Sequence, residues 1–222
     1  MRVSANNYIE LKQVGHGFGR DENAITLFEK VNITIQKGKS YAITGPSGSG
    51  KSSLLMLLAG LEKPKQGKFV AYLDNKQETE IKLRKQIGFI FQQFHLLPEL
   101  SALANVALPL RLRGTKRADY EAQKWLAKVG LSHRINHKPS QLSGGEQQRV
   151  AIARALVFNP SFIFADEPTG NLDNNNASDV ADLLFSCCSE LGAGLITVTH
   201  CDELGKRAQE RFSLRNGKCH VC

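Results

Sequence analysis

The sequence lacks any long hydrophobic run. Its longest strongly apolar stretch is residues 54–61, and a helix needs about 20 apolar residues to cross a bilayer. The first residues also lack the apolar segment of a secretory signal. We therefore expect a soluble protein of the cytoplasm, for which any role at a membrane would require another chain.

Cysteine is scarce, and its count of five is odd. Without a secretory signal, an odd count points to a reducing compartment rather than to a disulfide framework. Cys219 and Cys222 form a C-x-x-C pair around His220. A structural zinc site usually takes four ligands, and the sequence offers no second cluster. We therefore expect these residues to form a tail without a metal.

Internal repeats are also absent, and the composition is that of one globular domain. Of the 222 residues, 41% are hydrophobic and 23% are charged, which excludes disordered and fibrous classes. The net charge of +8 favours anionic partners such as nucleotides, nucleic acid or acidic lipid headgroups. The basic residues are scattered, so a surface tuned for solubility explains the charge equally well.

The first part of the chain shows strand patterns followed by a turn and a helix. Apolar alternation in residues 8–35 predicts strands. A strand at 41–44 leads into a glycine-rich turn and then a helix, which Gly60 weakens and Pro64 stops. The helix is expected to bury Leu54, Leu55, Leu57, Leu58 and Leu61.

The second part combines a helical region with buried strands. Residues from about 94 to 141 are predicted to be helical, with Gly130 as a helix C-cap. Two apolar runs, 162–165 and 195–198, predict buried strands of a mostly parallel sheet, and a helix at 178–190 joins them as a βαβ unit. One face of the helical region is expected to bury Ala122, Trp125, Leu126 and Val129.

A glycine-rich motif lies between the strand at 41–44 and the first helix. It reads G-x-x-x-x-G-K-[ST], and average residue usage gives roughly a one in a hundred chance of such a match. The glycines let backbone N–H groups close around phosphate oxygens, and the helix N-terminus adds partial positive charge. Lys51 is expected to reach the β- and γ-phosphates, and the Ser52 hydroxyl to bind Mg²⁺. The predicted nucleotide-binding residues here are Gly45, Pro46, Ser47, Gly48, Ser49, Gly50, Lys51, Ser52 and Ser53.

The apolar strand at 162–165 runs into two carboxylates, Asp166 and Glu167. Burial of the strand would place them at its C-terminal end, where ligands bind in open α/β sheets. Asp166 can then hold the water shell of Mg²⁺, and Glu167 can orient or deprotonate an attacking water. Without the glycine-rich motif, such a pair would more often be a solvated loop, so its interpretation depends on that motif.

A third motif, at residues 142–149, has the sequence L-S-G-G-E-Q-Q-R, and V-A-I-A-R-A-L follows it. It is predicted to begin another helix. A serine and two glycines that open a helix form another anion-binding N-terminus, yet a chain with one phosphate loop has no second phosphate site to occupy. The motif resembles the signature of the ABC ATPase family. Its residues that are expected to contact ATP are Leu142, Ser143, Gly144, Gly145 and Glu146.

The resemblance covers essentially the whole chain and implies an ATPase with ATP and Mg²⁺ as ligands. In this family the signature binds the γ-phosphate of the nucleotide held by the partner, which implies a head-to-tail homodimer. The implied fold class is α/β: a P-loop NTPase with a RecA-like, mostly parallel core sheet, N-terminal antiparallel strands and an inserted helical subdomain. The implied core of this single nucleotide-binding domain is about 1–93 and 156–222, and the helical subdomain is about 94–155.

The remaining family positions follow in order along the chain. Gln92 resembles the glutamine that meets Mg²⁺ and senses the membrane partner, and the adjacent Gln93 leaves the register open. Asp173 resembles the aspartate that contacts the other subunit, and His200 resembles the switch histidine at the γ-phosphate. Phe18 is the candidate for the aromatic residue that stacks on adenine, a role for which a ring face suffices.

Several stretches most resemble the lipoprotein-releasing and macrolide-exporter branch of bacterial ABC ATPases. This resemblance implies separate integral membrane permease subunits with large extracytoplasmic domains, and a peripheral position at the cytoplasmic face of the bacterial inner membrane. The family commonly has Asp after the switch histidine, whereas here Cys201 follows His200. This departure puts a local contact of the family in question, not hydrolysis. The stretches are 88–92, 96–98, 105–110 and 165–173.

Other functions within the family share the catalytic motifs. An ATPase for small-solute transport would differ only in its membrane partner, and a regulator such as a cell-division ATPase would share the single-cassette form. DNA-repair relatives carry zinc clusters or long heptad arms, and ribosomal relatives carry two cassettes in one chain. Because the sequence has none of these features, no nucleic-acid partner is expected.

Overall fold

The fold combines two β-sheets with α-helices. A computed structural model of the protein describes residues 7–19 and 25–222, apart from the side chains of residues 174 and 175. The strands are β1 (Tyr8–Phe18), β2 (Ile25–Gln36), β3 (Ser40–Thr44), β4 (Gln66–Leu73), β5 (Lys76–Glu78), β6 (Ile87–Ile90), β7 (Phe162–Asp166), β8 (Gly194–Val198), β9 (Glu210–Arg215) and β10 (Lys218–Val221). The α-helices are α1 (Lys51–Leu58), α2 (Glu80–Arg84), α3 (Ala102–Leu112), α4 (Ala118–Lys128), α5 (Gly144–Leu156), α6 (Asn174–Leu191) and α7 (Asp202–Lys206).

The larger sheet is mostly parallel and has the strand order β10-β9-β3-β8-β7-β6. Its neighbours pair in parallel except β10, which runs antiparallel to β9 at the edge. Helix α6 joins the neighbouring strands β7 and β8, so the predicted βαβ unit is confirmed. Both strands are almost wholly buried, which explains why they read as continuous apolar runs rather than as alternating patterns.

The smaller sheet is antiparallel and has the order β2-β1-β4-β5. Its long strands β1 and β2 pair along most of their length. Inward-facing Ile9, Leu11, Ile33 and Ile35 are buried, and the residues between them are more exposed. The alternating pattern in the sequence therefore predicted these strands correctly.

Two hydrophobic clusters form the core. One lies among α1, the antiparallel sheet and the parallel strands, and it includes Leu54 and Phe28. The other packs α3, α4, α5 and α6 against the far part of the parallel sheet, and it includes Trp125 and Val180. Each fully buried side chain of this size stabilises the fold by about 1.5–3 kcal/mol. The predicted burial of Ala122, Trp125, Leu126 and Val129 is confirmed.

The predicted burial of Leu61 is wrong. Helix α1 ends at Leu58, and Gly60 adopts a left-handed φ of +65°. That turn carries the chain out of the helix, so Leu61 no longer follows the buried face and is 42% exposed. The other four leucines predicted for this helix are fully buried.

The prediction that helix begins near residue 94 is also wrong, because α3 starts at Ala102. The preceding segment is held in a non-helical path by Asn105, which is fully buried. Its Nδ2 donates to the carbonyl oxygens of Leu97, Leu100 and Ser101 at 3.1 Å each, and its Oδ1 accepts from the Leu97 N–H at 2.8 Å. One side chain thus replaces the backbone hydrogen bonds that a helix would have made.

Two observations bear on membranes and metals. Within residues 7–19 and 25–222, no helix is both long enough and apolar enough to cross a bilayer. In those same ranges, no three His, Cys, Asp or Glu side chains are grouped as metal ligands would be. Cys219, predicted to lie in a tail, belongs to edge strand β10 and pairs with Leu214 of β9.

Candidate nucleotide site

The candidate site lies at the C-terminal edge of the parallel sheet. The loops that follow β3, β6 and β7 meet the end of β1 there, as ligand sites do in open α/β sheets. They enclose a cleft of about 340 Å³. Its lining residues are Phe18, Leu27, Ser47, Gly48, Gly50, Lys51, Ser52, Ser53, Gln92, Asp166 and Glu167.

The N-terminus of α1 opens into this cleft. Its N-cap is Gly50, whose φ of +92° is left-handed, and no described side chain caps the helix. A Cβ on Gly50 would lie 3.1 Å from Leu27 Cβ, and one on Gly45 (φ +155°) would lie 2.3 Å from the Leu214 carbonyl oxygen. The first N–H groups of α1 are therefore left without side-chain partners, in a loop whose backbone requires glycine.

Lys51 and Ser52 begin this helix. The Lys51 side chain folds back over the loop and donates from Nζ to the Pro46 carbonyl oxygen at 2.9 Å, and the residue is only 8% exposed. Ser52 Oγ donates to Asp166 Oδ1 at 3.1 Å, which joins the loop to the end of β7. Burial raises the pKa of Asp166, and Glu167 raises it further, whereas the Ser52 hydrogen bond and Lys51 lower it.

Glu167 and His200 face each other across neighbouring loops. His200 Nδ1 lies 2.9 Å from Glu167 Oε1, and the His200 backbone N–H donates to Oε2 at 3.4 Å. The Glu167 side chain is 15% exposed and the imidazole is 70% exposed. Glu167 has a φ of +46°, an uncommon conformation for a residue with a side chain, and such strain persists where the surrounding structure enforces it.

Gln92 and Phe18 complete the cleft. Gln92 lines it and Gln93 does not, and the Gln92 carbonyl accepts from Asn171 Nδ2 at 2.8 Å. Phe18 ends β1, is 54% exposed and packs in an edge geometry against His16, with centroids 6.0 Å apart. Its ring is therefore available to a planar ligand.

The residues 142–146 lie outside the cleft. Ser143 is the N-cap of α5: its Oγ accepts from the Glu146 N–H at 3.2 Å, and the Glu146 carboxylate accepts from the Ser143 N–H at 2.8 Å. Glu146 also pairs with Arg134 at 3.0 Å. The backbone hydrogen bond from Ser143 is the largest cause of the lowered pKa of Glu146, and Arg134 lowers it further. The structure thus does not join this motif to the phosphate loop of its own chain.

Gly145 and Asp173 lie near each other beside this helix start. A Cβ on Gly145 would lie 2.9 Å from Asn176 Oδ1, so the glycine allows close contact with α6. Asp173 is the N-cap of α6, and its side chain accepts from the Asn176 N–H at 3.1 Å. Both residues are therefore placed by the packing of α5 against α6.

The sequence did not identify three residues that support the site. Leu27 lines the cleft, Asn171 holds Gln92, and Arg134 holds Glu146. A leucine on a strand carries no signal of its own. Asn171 stands in the stretch 165–173 that carries the family resemblance. Its partner, Gln92, is distant along the chain, so no local pattern reveals the contact.

A model of the ABC transporter family matches residues 28–170, which is more than half of the chain. The chain belongs to the ABC transporter family. This match confirms the resemblance that the signature suggested, and with it the predicted assignment as an ABC ATPase.

Relatives of this ABC protein match it along nearly its whole length. The uncharacterised ABC transporter ATP-binding protein YbbA of Escherichia coli K12 is 44% identical, over 97% of this chain and 98% of its own. The lipoprotein-releasing system ATP-binding protein LolD of Alcanivorax borkumensis is 42% identical, over 94% of this chain and 95% of its own. The family branch predicted from the sequence is therefore the one in which these relatives are found.

Solved structures confirm the predicted fold of this ABC protein. The dimeric structure of the bacterial ABC transporter cassette MJ0796 has a TM-score of 0.83 and 38% identity, and it covers 96% of this chain and 98% of its own. A dimeric post-hydrolysis state of the same cassette, bound to ADP and phosphate, has a TM-score of 0.83 and 37% identity over the same shares. The α/β P-loop fold with a mostly parallel core is thus confirmed.

Proposed function

We propose that this protein is the ATP-hydrolysing subunit of a transporter of the lipoprotein-releasing type, and that it works as a homodimer bound to integral membrane subunits. The observation that carries the hydrolytic part is the placement of the Glu167 carboxylate beside both His200 and the phosphate-loop cleft. The transporter type rests on the LolD relatives and on their near-complete coverage of the chain.

The open N-terminus of α1 would bind the phosphates of ATP. Its uncapped N–H groups and partial positive charge suit an anion, and Lys51 Nζ needs only to exchange the Pro46 carbonyl for a phosphate oxygen. Phe18 would stack on adenine.

Ser52 and Asp166 fit a magnesium ion. Their oxygen atoms lie 3.1 Å apart at the cleft, and hydroxyl and carboxylate oxygens are ligands that Mg²⁺ accepts. A cation there would also offset the burial that raises the pKa of Asp166. Gln92, which also lines the cleft, would complete the set, and bound Mg²⁺ would neutralise charge on the phosphates.

Glu167 is suited to accept a proton from the attacking water. With Glu167 ionised, His200 Nδ1–H donates to it, so Nε2 is the ring atom that remains for a ligand. The left-handed backbone at Glu167 directs the carboxylate toward the cleft. Proton transfer to Glu167 and positioning by His200 together account for water attack on the γ-phosphate.

The make-up of the cleft supports the proposed homodimer. Ser143 and Gly145, the family's γ-phosphate contacts, are not among the residues that line it. A second copy in head-to-tail orientation would supply them, with Asp173 near the new interface. Opening and closing of this dimer would move membrane subunits bound near Gln92 and the helical subdomain at the cytoplasmic face of the membrane.

Replacement of the proposed base tests the hydrolytic mechanism. Glu167→Gln is expected to keep ATP binding, trap the ATP-bound dimer and lower turnover by about 10²–10⁴, the usual contribution of a general base. Turnover is measured as phosphate release, and dimer formation by size-exclusion chromatography with ATP and Mg²⁺. Glu203→Gln makes the same charge change at an exposed position on α7 and is expected to leave both unchanged. Wild-type turnover in Glu167→Gln would refute the assignment.

The trapped variant also tests the transporter type. Tagged Glu167→Gln, incubated with ATP, Mg²⁺ and detergent-solubilised host membranes, is expected to retain a membrane protein with few helices and a large extracytoplasmic domain. A compact multi-helix permease would indicate small-solute transport instead. Absence of any membrane partner, with dimers still forming, would indicate a regulatory role.

A further inference from the structure

Helix α5 contacts the loop that carries the proposed base. Gln148 lies one turn after Gly145 and is fully buried. Its Nε2 donates to the carbonyl oxygen of Pro168 at 2.7 Å. Pro168 directly follows Glu167, so a single side chain joins the helix of the signature to the backbone beside the carboxylate.

The two polar atoms of the Gln148 amide are satisfied unequally. Its Oε1 is buried and has no hydrogen-bond partner among the described residues, and an unpaired buried acceptor is unfavourable. The amide cannot be turned over to relieve this, because Oε1 would then face the Pro168 carbonyl oxygen. An aliphatic side chain of similar volume would avoid the unpaired oxygen but would leave the buried Pro168 carbonyl without this donor, so the bond to Pro168 is the feature that requires glutamine.

The loop that contains Glu167 and Pro168 has an unfavourable backbone conformation, which neighbouring groups must hold in place. Glu167 has a φ of +46°, and a strained backbone persists only when its surroundings hold it. On one side, the Glu167 N–H donates to the Val198 carbonyl of β8 at 2.9 Å. On the other side, Gln148 Nε2 donates to the carbonyl oxygen of Pro168, the residue after Glu167. The carboxylate is therefore held between the sheet and α5.

We propose that Gln148 is a positioning residue that makes the alignment of Glu167 depend on the position of α5. The proposal rests on the proposed function, in which Ser143 and Gly145 at the start of α5 bind the partner's nucleotide. When that nucleotide fixes α5, Gln148 fixes the Pro168 carbonyl and thus the carboxylate of its own chain. Occupancy of one site then favours hydrolysis at the other.

The test replaces the amide without changing the volume of the side chain. Gln148→Leu is expected to lower kcat by about 10- to 100-fold, as small misplacements of a catalytic group do. The KM for ATP is expected to stay within about 2-fold and Tm within about 3 °C, while the Hill coefficient for ATP falls to 1. The matched control is Gln86→Leu, which loses a hydrogen bond from Ser161 at the N-terminal end of β6, away from the site, and is expected to keep kcat.

A double-mutant cycle with Glu167→Gln shows whether Gln148 acts through the base. If it does, Gln148→Leu lowers the residual turnover of Glu167→Gln by less than about 2-fold. The proposal would be overturned if Gln148→Leu lowered the turnover of Glu167→Gln by the same factor as it lowers that of wild type. An unchanged kcat in the single variant Gln148→Leu, or a change confined to its KM, would overturn it as well. Should Gln148→Leu fail to fold, Gln148→Met takes its place, and failure of both would show a structural role and overturn it as well. Failure of the proposed function is recognised separately, by wild-type turnover in Glu167→Gln alone.

Discussion

The N-termini of α1 and α5 are built in opposite ways. Helix α1 has Gly50 as its N-cap, has no side-chain cap in the described structure and has no acidic residue in its first turn. Helix α5 begins with a complete capping box between Ser143 and Glu146. An anion can therefore bind the backbone N–H groups of α1 without displacing a capping side chain, whereas at α5 the Glu146 N–H already donates to Ser143 Oγ.

Two carboxylates show the same contrast. Asp166, beside the start of α1, is half-buried with one weak hydrogen bond from Ser52, and its pKa is raised. Glu146, in the first turn of α5, accepts from the Ser143 backbone and from Arg134, and its pKa is lowered. The polar groups around the start of α1 thus have few partners within the chain, whereas Glu146 and Ser143 in the first turn of α5 satisfy each other.

The largest expected effect is at α1. Lys51→Ala is expected to raise the Kd for ATP by about 10- to 100-fold, because a hydrogen bond to a charged group contributes about 1.5–3 kcal/mol. Isothermal titration calorimetry measures the Kd. Lys37→Ala, at an exposed turn after β2, removes the same charge and is expected to leave the Kd unchanged. Tight ATP binding by Lys51→Ala would show that the open helix end does not bind the phosphates.

A smaller effect is expected at α5. Ser143→Ala is expected to weaken ATP-driven dimerisation about 10-fold and to lower the free energy of unfolding by about 1 kcal/mol through loss of the N-cap. Its ATP affinity as a monomer should not change. Dimerisation is measured by sedimentation in the Glu167→Gln background.

Helix α3 supplies a matched control for Ser143. Ser101 caps α3 with the same geometry, since its Oγ accepts from the Ala104 N–H at 3.2 Å, as Ser143 Oγ does from Glu146. Ser101→Ala should lose the same stability and keep the dimer. Equal dimerisation by the two variants would mean that Ser143 is only a cap.

The sequence predicted the parts of the site whose residues are contiguous. The phosphate loop, the end of β7 and the start of α5 are each short motifs on one element, and periodicity placed those elements correctly. Asp166 and Glu167 were found because a buried strand must end at the ligand edge of the sheet.

What the sequence did not predict depends on contacts between distant segments. Gln148 reaches Pro168 and Arg134 reaches Glu146 only after α5 has packed. The error at residue 94 has a local origin instead, because Asn105 replaces helical hydrogen bonds with side-chain bonds to residues only 4, 5 and 8 positions earlier. Composition and periodicity indicate which face of a helix or strand is buried. They contain no information on which buried side-chain amide donates to which backbone carbonyl.

The smallest expected effects separate the two carboxylates by sign. A raised pKa means that ionised Asp166 costs stability above its ordinary pKa of about 4, so Asp166→Asn should raise Tm at pH 7. A lowered pKa means that ionised Glu146 contributes stability, so Glu146→Gln should lower Tm by about 2 °C. Both differences from wild type should shrink in acid. The Asp166 difference should shrink as the pH falls through its raised pKa and should vanish below the ordinary value of about 4, whereas the Glu146 difference should shrink below the ordinary pKa of a glutamate and vanish below the lowered one. Calorimetry without nucleotide or Mg²⁺ measures them, and shifts of the same sign at pH 7 would contradict the contrast between the two helix ends.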